Sequence, residues 1–162
     1  DNGGDCTTRC IVTCLEGKMT YREVEAEQYK IAAETNRIRK MNGNPRTVCR
    51  NTNGIWDAIL KREGFSWIQL NNLKSRAHIA SYLSSIKTPM ASLSRTHVCA
   101  IKEGKVLDNW DSRGGRVFGI LVKDEDFETA KELLTKHGIE CEKVNIPKHR
   151  VNHRRVRRYF AW

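Results

Sequence analysis

Around Pro89 the chain changes character, and that change limits the folds open to it. Upstream, apolar residues recur three and four positions apart among charged ones, which is the period of helices packed by one face. Downstream, MASLS, THVCAI, KVLDNW and RVFGILV are short β-favouring runs separated by turn residues, the pattern of an antiparallel meander. Helices first and a sheet afterwards, with no internal repeat, predict an α+β fold; 162 residues is an ordinary length for one core. No apolar run approaches the roughly 18 residues that a membrane span needs, and the N-terminus lacks the basic and apolar regions of a secretory signal. The expectation is a soluble, cytoplasmic protein with no membrane partner.

The helical part divides at its caps and stops. After Cys6, CIVTCL is apolar on most sides and suits a short, central, buried helix ended by Gly17. MTYREVEAEQYKIAAETNRIRKM carries a capping box, Thr20 with Glu23, and places Tyr21, Val24, Tyr29, Ile31 and Ile38 among charges; it predicts a long surface helix stopped at 42–45. A third helix is expected from Thr52 or Asn53 to Gly64, followed by a strand at FSWIQL. Ser75 is placed to cap a fourth, RAHIASYLSSI. Near the end, Asp124 is placed to cap EDFETAKELLTKH, with Phe127, Ala130, Leu133 and Leu134 on one side and Gly138 as its stop, before the strand IECEKVNI.

The net charge of +10 is concentrated at one end: seven Lys or Arg and no acidic residue fall between Lys143 and Trp162. The tail KHRVNHRRVRRYFAW, with Arg154, Arg155, Arg157 and Arg158, is a candidate for contact with nucleic-acid phosphates or an acidic partner, and Tyr159, Phe160 and Trp162 are available to stack. A solvated basic terminus is the plain alternative.

Six cysteines without an export signal read as reduced thiols. Cys6, Cys10 and Cys14 recur every fourth residue, along one helix face, and no second pair completes a zinc set, so no metal is expected. Cys10, Cys14, Cys49, Cys99 and Cys141 read as small core or surface residues. Cys6 differs, because the unpaired N–H groups and positive dipole end of a helix's first turn favour thiolate over thiol.

A nucleophile of this kind needs a base and an orienting group. His97 stands at the start of the strand HVCAI; His78 and His137 fall in helical patterns, and His149 and His153 belong to the basic tail. In HVCAIKEGKVLDNWDS, a two-residue loop at Glu103 and Gly104 sets Cys99 opposite Asp108 and His97 opposite Trp110, with His97 and Asp108 diagonal on one face. A three-residue loop instead brings Asn109 or Asp111 to that side. Any of the three can accept a bond from the imidazole N–H.

DCTTR at the thiol and THVCAIKEGKVLDNWDS at the histidine resemble the papain-like cysteine peptidase fold, especially small phage and bacterial members with Asp-Cys-x-x-Arg and a histidine hairpin ending in Asp-x-Trp-Asp. Bacteriocin-leader-processing peptidases and viral leader proteases share this layout. The resemblance covers residues 1–122 as a catalytic domain; residues 123–147 are expected as a helix-strand extension packed on it, and 148–162 as the basic tail. It implies Cys6 as nucleophile, His97 as general base and then acid, Asp108 as orienter, and Asn2 with the Cys6 backbone N–H as oxyanion donors. A protein or peptide substrate and no cofactor follow. Other acyl transfers on the same triad (acyltransferase, deamidase, transglutaminase) are alternatives, as is a non-catalytic protein that binds nucleic acid or a host protein through its C-terminus. Asp5 reads as a cap of the central helix, Arg9 as an anchor for a carboxylate such as Asp111 or the chain terminus, and Trp110 as cover for the His97–Asp108 bond or as core. Gly114 and Gly115 read as a turn.

Overall fold

The computed structural model describes residues 4–149; Asn2 and the arginines Arg154, Arg155, Arg157 and Arg158 lie outside the described residues. Helices α1 (Cys6–Cys14), α2 (Tyr21–Met41) and α3 (Asp57–Arg62) come first, then strand β1 (Phe65–Ser75) and helix α4 (Arg76–Tyr82). Strands β2 (Met90–Ser94), β3 (Val98–Lys102), β4 (Lys105–Leu107) and β5 (Arg116–Lys123) follow, and α5 (Phe127–Lys136) and β6 (Cys141–Val144) close the described chain. The strands form one six-stranded sheet in the order β4-β3-β2-β5-β1-β6, with every pairing antiparallel. The protein is α+β. None of its described helices is long and apolar enough to cross a membrane.

Strand alternation divides the core in two. Trp67, Leu93, Val98 and Ala100 face Ile11, Val24, Trp56 and Leu60 from α1–α3 and the turn before α3, whereas Ile68, Ile101, Ile120 and Val122 face Ile79, Leu83, Ala130 and Leu134 on the α4 and α5 side. β6 pairs with β1 at the sheet edge, so the last helix and strand share this same sheet. Beside it the chain turns over Gly119, where a Cβ would come within 2.8 Å of Pro147, and Gln69 holds the Lys148 backbone by its N–H (2.7 Å) and its carbonyl (2.9 Å).

Caps account for most helix boundaries. Thr20 and Glu23 form the full capping box, and Ser75 accepts from the His78 N–H. Gly138, at φ +78°, follows the last turn of α5. Three boundaries differ from expectation. α3 begins at Asp57 rather than Thr52 or Asn53, because the preceding residues form tight turns in which Asp57 accepts from the Gly54 N–H. α4 ends at Tyr82 rather than running on towards Pro89. Asp124 opens a 3-10 turn instead of capping α5, and its carboxylate accepts from the Ser66 hydroxyl.

Candidate active site

Cys6 is the first residue of α1, and Asp5 stands at the N-cap without making a side-chain cap bond. Asp5 therefore does not cap the helix: its carboxylate pairs with Arg9 at 3.2 Å and accepts from the Tyr21 hydroxyl at 3.3 Å. Arg9 is thus anchored one turn back along its own helix and not on Asp111, which pairs with Arg113 at 2.9 Å. The first-turn N–H groups stay available to the sulfur. Burial pushes the Cys6 thiol up, but the His97 imidazole and the backbone at Val98 and Thr7 outweigh it, holding the thiol below its ordinary value.

Beneath that first turn lies a buried polar network. Gln28 of α2, fully buried, donates to the Thr7 hydroxyl (2.9 Å) and the Arg50 carbonyl (3.1 Å) and accepts from the Thr8 hydroxyl. Asn51 accepts from the Thr7 hydroxyl and donates to the Gly4 carbonyl at 2.8 Å. These bonds hold the helix start from both sides. Nothing in a single helical pattern named Gln28 as a partner of the Cys6 helix, yet its spacing carried a clue: Val24, Gln28 and Ala32 form the buried stripe of α2, with a polar residue in the middle.

The histidine comes from the opposite side, through the β3–β4 hairpin. Glu103 (φ 49°) and Gly104 (φ 81°) form a two-residue loop with both angles positive, and Ala100 pairs with Leu107, Ile101 with Val106 and Lys102 with Lys105. Extended one residue beyond the paired strands, that register would set Cys99 opposite Asp108, and a ligand atom of each lies within 4.8 Å of the other. Because glutamate strains the first loop position, Glu103→Asn is expected to stabilise the fold by about 0.5 kcal/mol, read as a raised denaturation midpoint.

His97 Nε2 lies 2.5 Å from Asp108 Oδ2, which also accepts from the Ser112 hydroxyl at 2.7 Å; Oδ1 accepts from the Asn109 N–H at 2.8 Å. With Nε2 occupied, Nδ1 is the ring nitrogen left for a second partner. The neighbouring Cys6 and Cys99 thiols and the bonded Asp108 carboxylate push the His97 pKa up to about 10 against the effect of burial. Burial works against the Asp108 carboxylate, but Ser112 and His97 hold it below the usual range. Asp108 takes the orienter position; Asn109 contributes its backbone N–H to that carboxylate, and Asp111 turns outward to Arg113. Trp110 is not core. It is 56% exposed, with its ring 4.8 Å from the His97 ring, and covers the imidazole from outside.

A further residue, Arg76, enters the site without any advance signal from the sequence. Only 1% exposed, it donates to Ser92 and Ser94 hydroxyls at 2.8 and 3.0 Å, to the Ser112 carbonyl at 2.9 Å and to the His97 carbonyl at 3.1 Å. It ties the backbone of the histidine to that of Ser112, which holds Asp108. Each of these acceptors is neutral. The guanidinium is therefore a buried cation held against the backbone of His97. Gly115, read only as a turn residue, leaves room for this cation: a Cβ there would stand 2.8 Å from Arg76 Nη1. Gly115→Ala is accordingly expected to cost about 1–3 kcal/mol of stability in chemical denaturation.

Two clefts meet at Cys6. One, about 370 Å³, is lined by Arg9, Cys10, Thr13, Cys99, Leu107 and Asn109; the other, about 400 Å³, by Asn51, Asn53, Trp56, Arg95, Thr96 and His97. An extended chain laid across both would pass over the sulfur. Compared with known proteins, the chain matches no family model, no curated protein and no solved structure.

Proposed function

We propose that this protein is a papain-like cysteine peptidase that cleaves peptide or isopeptide bonds through Cys6, His97 and Asp108. The observation that carries the proposal is the His97–Asp108 bond, with His97 and the helix-start thiol of Cys6 lining one cleft; the lowered thiol pKa and raised imidazole pKa support it. The Cys6 thiolate attacks the scissile carbonyl carbon, and the oxyanion forms beside the N-terminal turn of α1, where the Cys6 N–H can stabilise it. Asn2, the proposed second donor, lies outside the described residues. His97 passes its Nδ1 proton to the leaving amine, which departs and leaves a thioester on Cys6. Neutral His97 then takes a proton from water as the water attacks the thioester; acid leaves, and the ion pair is restored.

The test is digestion of a peptide library read by mass spectrometry. New termini are expected from the wild-type protein and none from Cys6→Ala. Deamidated or amine-linked products would move the assignment to acyl transfer on the same triad, and identical digests from both proteins would remove Cys6 from the chemistry. The basic C-terminus is proposed to hold nucleic acid or an acidic partner, a reading that rests on its charge alone.

A further inference from the structure

Behind the His97–Asp108 bond sits a thiol that acyl transfer does not use. Cys99, 4% exposed, lies in β3 two residues after His97, and one ligand atom each from His97, Cys99 and Asp108 all lie within 4.8 Å of one another. Imidazole nitrogen, thiolate sulfur and carboxylate oxygen are the ligand kinds that zinc takes, and tetrahedral bonds of about 2.0–2.3 Å place such atoms about 3.3–3.7 Å apart. A site at that spacing needs the wider separations, at most 4.8 Å, to close by about 1 Å. The His97–Asp108 pair, now at 2.5 Å, opens as the proton between its members leaves. The sulfur gives up only weak contacts, to the Ser112 hydroxyl at 3.5 Å and the Ser92 hydroxyl at 3.8 Å. Cys99 and Asp108 both line the cleft of about 370 Å³ beside Cys6, which gives an ion and a completing water a way in.

We propose that His97, Cys99 and Asp108 form a site for a divalent cation of the zinc class, and that its occupation switches the triad off. The ion binds His97 Nε2 in place of the proton shared with Asp108, and Cys99 binds as thiolate, so two protons leave the site; Cys6 takes one up as it loses its partner, and the net release of one per ion tightens binding as pH rises. Thiolate and carboxylate balance the ion's two charges. An imidazole held by metal at Nε2 cannot be an imidazolium, so Cys6 loses its charged partner. Inhibition rests on the peptidase reading; binding of the ion does not.

Titration with Co²⁺, a spectroscopic stand-in for zinc, tests the binding on Cys6→Ala protein of full length. A thiolate-to-cobalt absorption band saturating at one equivalent is expected, and it should be lost from Cys6→Ala/Cys99→Ala and weakened at least tenfold in Cys6→Ala/Asp108→Asn. An equal band in all three, attributable to the other thiols, or no band in any, overturns the site. Circular dichroism checks that each variant is folded, and the Asp108 variant carries the test should the Cys99 variant unfold. For inhibition, Zn²⁺ should slow iodoacetamide capture at Cys6, followed by mass spectrometry of its peptide, and a chelator should restore it. Equal slowing in Cys99→Ala would place the ion on Cys6 and His97 instead, and would overturn the proposal. If Cys6 is not the fast thiol even without metal, the peptidase reading fails while the cobalt titration still decides the site.

Discussion

With His97 replaced by Ala, the pH midpoint for alkylation of Cys6 rises to the ordinary thiol value of 9.0 or above, and iodoacetamide capture below that pH slows. The sign follows from the forces on the sulfur. Burial raises its pKa and the imidazole is foremost among the groups that lower it, so removing the ring leaves burial less opposed. In the unmodified protein the thiolate–imidazolium pair spans the range from the lowered Cys6 value up to about pH 10, where His97 deprotonates. On the proposed peptidase reading, peptide cleavage should therefore fall below that range as the thiolate is lost and above about pH 10 as the general acid is lost. Turnover in His97→Ala should drop by about 10²–10⁴. Capture must be followed at the Cys6 peptide itself, because exposed Cys49, held below the ordinary thiol value by the Thr52 hydroxyl, also reacts. An unchanged midpoint in His97→Ala would separate the imidazole from the thiol and end the catalytic reading.

Arg76→Met is expected to cost about 3 kcal/mol or more in urea denaturation, since buried acceptors on Ser92, Ser94, Ser112 and His97 lose their donor together. The same variant removes the buried positive charge held against the backbone of His97. Cys6 alkylation should then shift to higher pH, because the thiolate is held in a less positive field. A purely structural Arg76 would lower stability and leave that midpoint in place, so the two readouts divide the roles. Arg76→Lys should restore much of the midpoint and little of the stability, as an ammonium carries the charge but cannot reproduce the guanidinium's fork of donors.

The hairpin was legible because its determinants are neighbours in the chain. A two-residue loop at Glu103 and Gly104 fixes the pairing of every later residue, and the same arithmetic that sets Ala100 against Leu107 brings His97 and Asp108 to one face. Thr20 with Glu23, Ser75 and Gly138 were readable for the same reason, each acting within one helical turn. Asp5 and Asp124 have equally good capping chemistry, but Arg9, Tyr21 and Ser66 compete for their carboxylates, and the competitor wins. The alternatives Asn109 and Asp111 depended on a loop of another length, and the positive φ angles at 103 and 104 decide against it.

By itself, the order of residues determined an α+β chain, a thiol at a helix start and a histidine one hairpin away from a carboxylate, since periodicity, caps and turn length act over a few residues. Only the tertiary structure decided what surrounds them: Gln28 under the thiol's helix, Arg76 behind the imidazole, and the two clefts that meet at the sulfur. Those contacts join segments far apart in the chain, and a buried polar group's partner is settled by which donors and acceptors remain after the two cores have packed.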